Sequence, residues 1–145
     1  MKTTQKITRV QLKVNQNDES ALIGIVSAEP DYKISLSLNK KLKISLKSSN
    51  PVVLSESAVK ENTFSRFSDH TGSQGVSYDL ISNRHGKNFL LKKLKNVDYI
   101  FRVLNPDNED NTGMIISSLR NMDCVTAVFS LDPGSLRDKN LRYIT

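Results

Sequence analysis

Val97-Asp98-Tyr99-Ile100-Phe101-Arg102-Val103-Leu104 is the segment that organises the C-terminal third of this 145-residue chain. Its β-branched and aromatic residues predict a strand. The polar loop 105–111 ends the strand, and Asn111 or Thr112 can cap the helix that follows. That helix carries an apolar stripe of Ile115, Leu119 and Met122. The next apolar run, Val125–Leu131, predicts a last strand, so the order is strand, helix, strand.

The N-terminal third has the same order of elements. Leu22–Val26 is a short apolar run between polar residues and predicts a central strand. Residues 29–42 fit both an alternating strand and a helix. The residues at the two ends of this segment favour the helix; they are Pro30, Asp31, Lys40, Lys41 and Lys43. Ile44 and Leu46 predict a returning strand, and Ile7–Val14 predicts a half-buried strand upstream.

The middle of the chain has weaker signals. Residues 48–62 are rich in Ser, Asn, Glu and Lys and are interpreted as an irregular connection. Phe64 and Phe67 predict a short strand before a glycine-containing turn. Val76–Leu80 predicts a clear strand, and the polar run 83–87 is expected to close a hairpin onto Phe89–Leu91.

These elements predict an α+β fold, in which a mostly antiparallel sheet carries two helices on one face. Two strand–helix–strand units joined through a middle hairpin correspond to a ferredoxin-like, split βαβ layout with an inserted hairpin. The chain has the usual length of one domain, and we expect a single domain over 1–145. Its ends, 1–6 and 134–145, are expected to be loosely packed tails.

The chain is basic, with 21 Lys and Arg against 15 Asp and Glu and a net charge of +6. Three stretches without an acid, 2–13, 33–47 and 84–95, hold fourteen of these basic residues. If the stretches converge on one face, they suit a phosphate backbone or an acidic protein; otherwise they form a solvated basic surface. Aromatic residues make up only 6% of the chain, so nucleic acid is an alternative partner but not the favoured one.

The sequence predicts neither a membrane span nor a secretory signal. The longest apolar stretch, Ala21–Val26, is far shorter than the ~18 residues needed to cross a bilayer. The start Met1-Lys2-Thr3-Thr4 lacks an apolar signal core. The single cysteine, Cys124, cannot form an internal disulfide, which agrees with a reducing compartment. We therefore expect a cytoplasmic protein without a membrane partner.

Catalytic machinery is not predicted. His70 and His85 fall in glycine-containing turns and are interpreted as exposed loop residues. Cys124 lies between the predicted last helix and strand, where a free cysteine is usually a small core residue. No His or Cys pair has the spacing of metal ligands, and the turn 72–75 lacks the lysine and the helix of a phosphate loop. We expect no catalytic residue, no metal site and no cofactor, and hence a protein that is not an enzyme.

Asp98 and Tyr99 need an explanation within the organising strand. An acid on a strand that otherwise predicts burial must be solvated or accept hydrogen bonds from backbone groups or a lysine. A structural role for Asp98 is therefore favoured over a functional one. Because strand side chains alternate, Tyr99 is expected on the opposite face. Tyr32 and Tyr78 are its candidate neighbours in an aromatic core.

Six blocks of the chain, in order, resemble the IPExxxVDY family of Bacteroidota. The blocks, which lie within residues 20–133, are Leu22-Ile23-Gly24-Ile25, Asp31-Tyr32-Lys33, Leu38-Asn39-Lys40-Lys41-Leu42, Tyr78-Asp79-Leu80-Ile81-Ser82-Asn83, Val97-Asp98-Tyr99 and Val125-Thr126-Ala127-Val128-Phe129. Val97-Asp98-Tyr99 fits the motif that names the family, whereas Leu91-Lys92-Lys93 stands where the family has Ile-Pro-Glu. The resemblance implies a small intracellular protein, and no block is catalytic.

The candidate functional surface consists of Asp98, Tyr99, Lys40, Lys41, Lys92 and Lys93. The hypothesis is a non-enzymatic, cytoplasmic adaptor or regulatory binding protein whose partner is an unknown protein or small ligand. Ferredoxin-like sheets often pair edge to edge or sheet to sheet, which allows a homodimer. The alternative hypothesis is an RNA-associated protein that uses the basic stretches.

Overall fold

A computed structural model describes residues 20–57, 60–70, 76–104 and 109–144. The expected strand Ile7–Val14 and the expected loose tail 1–6 lie outside these residues. The elements are β1 (Ser20–Val26), α1 (Asp31–Leu42), β2 (Lys47–Ser57), β3 (Lys60–Asp69), β4 (Ser77–Ser82), β5 (Arg84–His85), β6 (Asn88–Phe89), β7 (Tyr99–Leu104), α2 (Glu109–Arg120), β8 (Ala127–Leu131), α3 (Pro133–Leu136) and a 3₁₀ helix (Lys139–Tyr143). None of the described helices is both long and apolar enough to cross a bilayer.

Six strands form one sheet in the order β2-β3-β4-β7-β1-β8, and each neighbouring pair is antiparallel. The predicted α+β class with a mostly antiparallel sheet is therefore confirmed. Elements β1, α1, β4, β7, α2 and β8 follow the ferredoxin-like split βαβ order. The inserted hairpin is β2–β3, between α1 and β4.

β1 lies between β7 and β8, as expected for a central strand. Its Ile23 lies opposite Phe101 on one side and Ser130 on the other. Gly24 permits a close approach, because a Cβ at this position would lie 3.2 Å from Val97 Cγ2 and 3.3 Å from Leu131 Cδ2. The chain before β7 therefore packs directly on the middle of β1.

Helices α1 and α2 cover one face of the sheet, as predicted. Ile34 and Leu38 of α1 and Leu119 of α2 are fully buried there. They share a cluster with inward-facing strand residues, among them Ile23, Ile25, Leu80, Phe101, Val103 and Val128. α1 begins directly after Pro30 and ends at Lys43, which adopts a left-handed conformation with φ 58°. The end signals in the sequence thus resolved the choice between helix and strand correctly.

A second apolar cluster covers the opposite face, because its strand residues alternate with those of the first. Leu22, Ile81 and Ile100 supply the strand side of this cluster. Two stretches cover it, namely residues 90–97 and the C-terminal segment, which we define as residues 132–144. Ile144 at the end of that segment is only 2% exposed. Of the tail 134–145 that was expected to be loosely packed, Leu136, Leu141 and Ile144 pack on this face of the sheet.

The expectation of an irregular connection at 48–62 is wrong, because the strands β2 and β3 occupy most of that range. Among the described strands β2 has a single neighbour, β3, and such an edge position tolerates polar residues and Pro51. The register between β2 and β3 shifts between Ser49 and Val52, which marks a bulge beside this proline. The low apolar content of the segment reflects its place at the sheet edge.

The predicted hairpin onto Phe89–Leu91 is reduced to the two-residue ladder β5–β6, with Gly86 at φ 61° in its turn. β4 pairs instead with β3 and β7. Fully buried Asn83 folds the chain back after β4, since its Nδ2 lies 2.9 Å from the carbonyl oxygens of Leu94 and Val97. Two strands also start later than predicted, β7 at Tyr99 and β8 at Ala127.

Candidate functional site

The structure does not bring the six candidate residues together. Asp98 and Tyr99 lie at the start of β7, beside the turn that leads from β1 into α1. Lys40 and Lys41 lie in the last turn of α1, on the helical face. Lys92 and Lys93 lie in the stretch that covers the opposite face. The six residues therefore belong to three separate sites.

Asp98 joins β7 to the end of β1. Its Oδ2 accepts a hydrogen bond of 2.9 Å from the backbone N–H of Ser27, and its Oδ1 lies 2.5 Å from Arg84 Nη2. Its own backbone N–H donates to the carbonyl of Ile25. The carboxylate is therefore satisfied by a backbone N–H and a guanidinium, which agrees with a structural role.

Tyr99 points to the helical face, and its hydroxyl donates a 2.5 Å hydrogen bond to the carbonyl of Glu29. Burial raises the pKa of this phenol to about 12, and the negative charges of Asp31 and Asp98 act in the same direction. The hydroxyl therefore remains protonated and serves as a donor near neutral pH.

Of the two expected aromatic neighbours of Tyr99, Tyr78 packs against the same helical cluster, whereas Tyr32 does not. Tyr78 stacks on Phe101, with ring centroids 5.8 Å apart. Tyr32 is 56% exposed, so its assignment to the core is wrong. The reason is its position on α1, where Ile34 and Leu38 point to the sheet and Tyr32 points to solvent.

A cleft of about 310 Å³ opens beside Asp98 and Tyr99. Its charged side chains already have partners, since Arg84 pairs with Asp98, and Glu29 lies 3.9 Å from Lys33. Lys40 and Lys41 line another cleft of about 420 Å³, between α1 and the end of α2, where Asp123 supplies a carboxylate. Neither cleft concentrates one sign of charge.

The third cleft, which contains Lys92, is different, and we call it the basic cleft. It measures about 360 Å³ and is lined by Leu54, Ser55, Lys92, Lys139, Asn140, Arg142 and Tyr143. Three of these side chains are cations, and none of them forms an ion pair with a carboxylate in the described part of the chain. The basic cleft is therefore lined by three cations that form no ion pair within the described ranges.

Asp138 builds the basic cleft through contacts to the backbone. One carboxylate oxygen accepts from the backbone N–H of Lys92 at 3.1 Å, and the other accepts from the backbone N–H of Asn140 at 2.9 Å. The second bond caps the 3₁₀ helix, and the first fixes that helix to the stretch 90–97. Both oxygens of Asp138 therefore act on the backbone, and the ammonium groups of Lys92 and Lys139 are not bonded to them.

Arg142 and Tyr143 form one wall of the basic cleft. The guanidinium carbon of Arg142 lies 5.0 Å from the centroid of the Tyr143 ring, and its Nη2 donates to the Tyr143 hydroxyl at 3.1 Å. The backbone carbonyl of Tyr143 accepts from Arg66 at 3.3 Å. On the β2 side of the cleft, the hydroxyl of Ser55 donates to the carboxylate of Glu61 at 3.5 Å.

Lys93 has a structural role at the edge of this region. Its ammonium donates a 2.9 Å hydrogen bond to the carbonyl of Leu136 at the end of α3. Lys92, in contrast, is one of the residues that line the basic cleft. The two neighbouring lysines thus divide between attaching the C-terminal segment and lining the basic cleft.

A polar network on the sheet was not expected from the sequence. Asp79 on β4 has a side chain only 2% exposed and lies 3.1 Å from Arg102 Nη1. It also accepts from Ser68 Oγ at 2.5 Å and lies 3.3 Å from His70 Nε2. Burying this carboxylate requires these partners. The contact with Asp79 holds His70 against β4. The pair of Asp79 and Arg102 within this network is interpreted as a structural ion pair.

The remaining candidates for chemistry have ordinary environments. His85 is exposed, and its ring lies edge-on to Phe64 with centroids 6.2 Å apart. Cys124 is half-buried and packs against the helical cluster, in line with the interpretation as a small core residue. Within the described ranges, His, Cys, Asp and Glu form no group of three that could hold a metal ion.

Comparison with protein-family models, with curated proteins and with solved structures gives no match. The site must therefore be interpreted from its own geometry. Sequence reasoning identified Lys92 but missed Lys139 and Arg142, because the tail was expected to be loose. One signal was present, since Asp138 stands two residues before Asn140, in the pattern of a side chain that caps its own turn.

Proposed function

We propose that this protein is a non-enzymatic binding protein that acts as an adaptor or regulator and takes a small anionic ligand in the basic cleft. The observation that supports this proposal is that Lys92, Lys139 and Arg142 line one cleft and form no ion pair with a carboxylate among the described residues. An anion in the cleft lies beside all three cations, and opposite charges attract. The cleft volume of about 360 Å³ is at the lower end of small-molecule sites.

The composition of the basic cleft supports a small ligand over an extended polymer. Leu54 and Tyr143 add apolar surface, and Asn140 adds an amide, next to the three cations. A site with a few polar groups among apolar walls is typical for small molecules. The described basic stretches 33–47 and 84–95, in contrast, lie on different sides of the sheet, so they offer no continuous track for a nucleic acid.

The proposal includes a cytoplasmic location, which the reducing-type cysteine usage supports. Membership in the IPExxxVDY family remains part of the proposal as well, carried by Val97-Asp98-Tyr99 and the other blocks. In this chain Asp98 and Tyr99 connect β7 to the β1–α1 turn. Under this proposal, the motif that names the family lies at the contact between β7 and the β1–α1 turn, apart from the basic cleft.

The test is a titration of the isotope-labelled protein with inorganic phosphate, malonate and citrate at constant ionic strength, followed by NMR. We expect saturable shifts at the backbone amides of Lys92, Lys139 and Arg142. Lys139→Gln should weaken binding about threefold, the effect of losing one exposed charge partner. Lys95→Gln removes an exposed lysine outside the cleft and should leave the affinity unchanged. Saturable shifts confined to Lys40 and Lys41, or no saturable shift, would contradict the proposal.

A further inference from the structure

We infer that the ligand of the basic cleft carries a phosphate monoester and that its binding fastens the C-terminal segment, residues 132–144, to the sheet. This inference rests on the proposed function and adds the chemical class of the ligand and a regulatory consequence. The observation behind this inference is the position of the basic cleft. The cleft lies at the boundary between the C-terminal segment and the rest of the protein, which we call the seam.

The two sides of the seam supply different parts of the basic cleft. Lys92 comes from the stretch 90–97, and Leu54 and Ser55 come from the edge strand β2. Lys139 and Arg142 come from the 3₁₀ helix in the C-terminal segment. A ligand that contacts all three cations therefore bridges the segment and the sheet, and it can do so only when the segment is in place.

The segment is held by a limited set of contacts. Asn140 Nδ2 donates to the carbonyl of Leu90 at 2.7 Å, and Lys93 donates to the carbonyl of Leu136. Ile144 is buried in the cluster, but the residues of α3 include none that is buried. Few buried apolar residues and short helices place the segment among the parts of a fold that open first.

The number of donors favours a phosphate monoester over a carboxylate. A phosphate monoester carries a charge of about −1.5 to −2 at neutral pH and has three terminal acceptor oxygens. These match three cationic side chains that approach from two elements. Arg142 is held against Tyr143, and a guanidinium in a fixed orientation can bond two phosphate oxygens at once. A single carboxylate has two oxygens and one charge, and leaves part of this set unmatched.

Binding and docking of the segment are then linked in both directions. A ligand that binds only the docked form lowers the population of the undocked form, and loosening the segment lowers the affinity. Ile144 does not line the cleft, so Ile144→Ala changes docking without removing a contact to the ligand. Its effect on affinity separates the coupled arrangement from a site that binds anions independently of the segment.

The experiment measures hydrogen exchange of the full chain with phenyl phosphate as the probe and malonate, also a dianion, as the matched control. The reporters are the amides of Asn140, Leu141 and Ile144, which are hydrogen-bonded in the docked segment. At about ten times the dissociation constant, phenyl phosphate should slow their exchange about tenfold. The amide of Asp98, bonded to Ile25 in the sheet, should change little and serves as the internal control.

The affinities complete the test. We expect phenyl phosphate to bind more tightly than malonate, Ile144→Ala to weaken phenyl phosphate binding, and Lys95→Gln to leave it unchanged. If malonate binds equally well, or if phenyl phosphate binds while exchange at Asn140, Leu141 and Ile144 stays the same, the inference is overturned and the proposed anion cleft stands. If neither anion binds at the cleft, both are overturned. The wild-type exchange measurement decides the question even if Ile144→Ala fails to fold.

Discussion

The Asp98 carboxylate connects parts of the chain that are 71 residues apart, through its bond with the backbone N–H of Ser27. Its second partner, Arg84, is 49% exposed, whereas the Asp98 side chain is 18% exposed. An ion pair with such an exposed partner contributes little, because water and salt screen it. The bond to the Ser27 N–H is the stronger structural contact, since that residue is buried and its N–H needs an acceptor.

Two substitutions separate these contributions. Asp98→Ala leaves the Ser27 N–H without its acceptor and should lower the free energy of unfolding by about 1–3 kcal/mol. Arg84→Gln removes only the exposed partner and should cost about 0–1 kcal/mol. Urea unfolding followed by circular dichroism measures both values. Equal losses for the two variants would contradict the assignment of Asp98 to the backbone turn.

Tyr99 gives a prediction at alkaline pH. Its pKa is raised from 10.0 to about 12, so the folded state holds the phenolic proton more tightly than the unfolded state does. The resulting stabilisation is fully present below about pH 10 and is lost as the pH rises towards 12. Tyr99→Phe lacks this group and also loses the bond to Glu29, which costs about 1 kcal/mol. The difference in unfolding free energy between the wild type and Tyr99→Phe should therefore shrink between pH 9 and 12. A difference that stays constant over this range would contradict the raised pKa of Tyr99.

At the C-terminal end of α1, the backbone conformation of one residue, Lys43, ends the helix. Lys43 ends the helix with φ 58° and ψ 47°, a conformation that glycine adopts without strain. Two residues earlier, Lys41 has ordinary helical geometry in the last turn. Lys43→Gly should therefore stabilise the protein by about 0.5–1 kcal/mol. Lys41→Gly, the same chemical change inside the helix, should destabilise it by about 1 kcal/mol. Thermal unfolding tests both, and a shift of the same sign for the two variants would contradict the explanation.

The elements that could be predicted from the sequence are those with one strong local signal. Residues 99–104 are a run of β-branched and aromatic residues, and they form β7 in the middle of the sheet. The helix at 31–42 followed from Pro30 and the terminal lysines. β2 could not be predicted in this way, because an edge strand buries few residues and its polar ones look like a loop.

The basic cleft was less predictable than the fold. Lys92 was singled out from its basic stretch, but its partners Lys139 and Arg142 are about 50 residues away in sequence, in a segment expected to be loose. Long-range bonds of Asp138, Asn140 and Lys93, together with the second apolar cluster, bring the two parts together. Local patterns predict elements well, and they carry little information on which distant loops meet.

At the scale of the whole molecule, the sheet separates two different coverings. Long helices α1 and α2 bury one face, whereas the other face is covered by an irregular stretch and the C-terminal segment. An exposed apolar sheet face of this kind promotes association. The C-terminal segment therefore has two tasks. It covers the second cluster with Leu136, Leu141 and Ile144, and it supplies two cations to the basic cleft.

Removing the C-terminal segment should reveal the first of these tasks. A chain that ends after Leu131 loses the cover of the second cluster, and burial of one side chain such as Ile144 alone contributes about 1.5–3 kcal/mol. With Leu136 and Leu141 lost as well, we expect the unfolding free energy to fall by roughly 3–5 kcal/mol, with a tendency to associate in size-exclusion chromatography. A chain that ends after Ile144 keeps the cluster and should unfold like the full chain. If the shorter chain is equally stable and monomeric, the segment does not act as a core element, and the second face of the sheet does not need this cover.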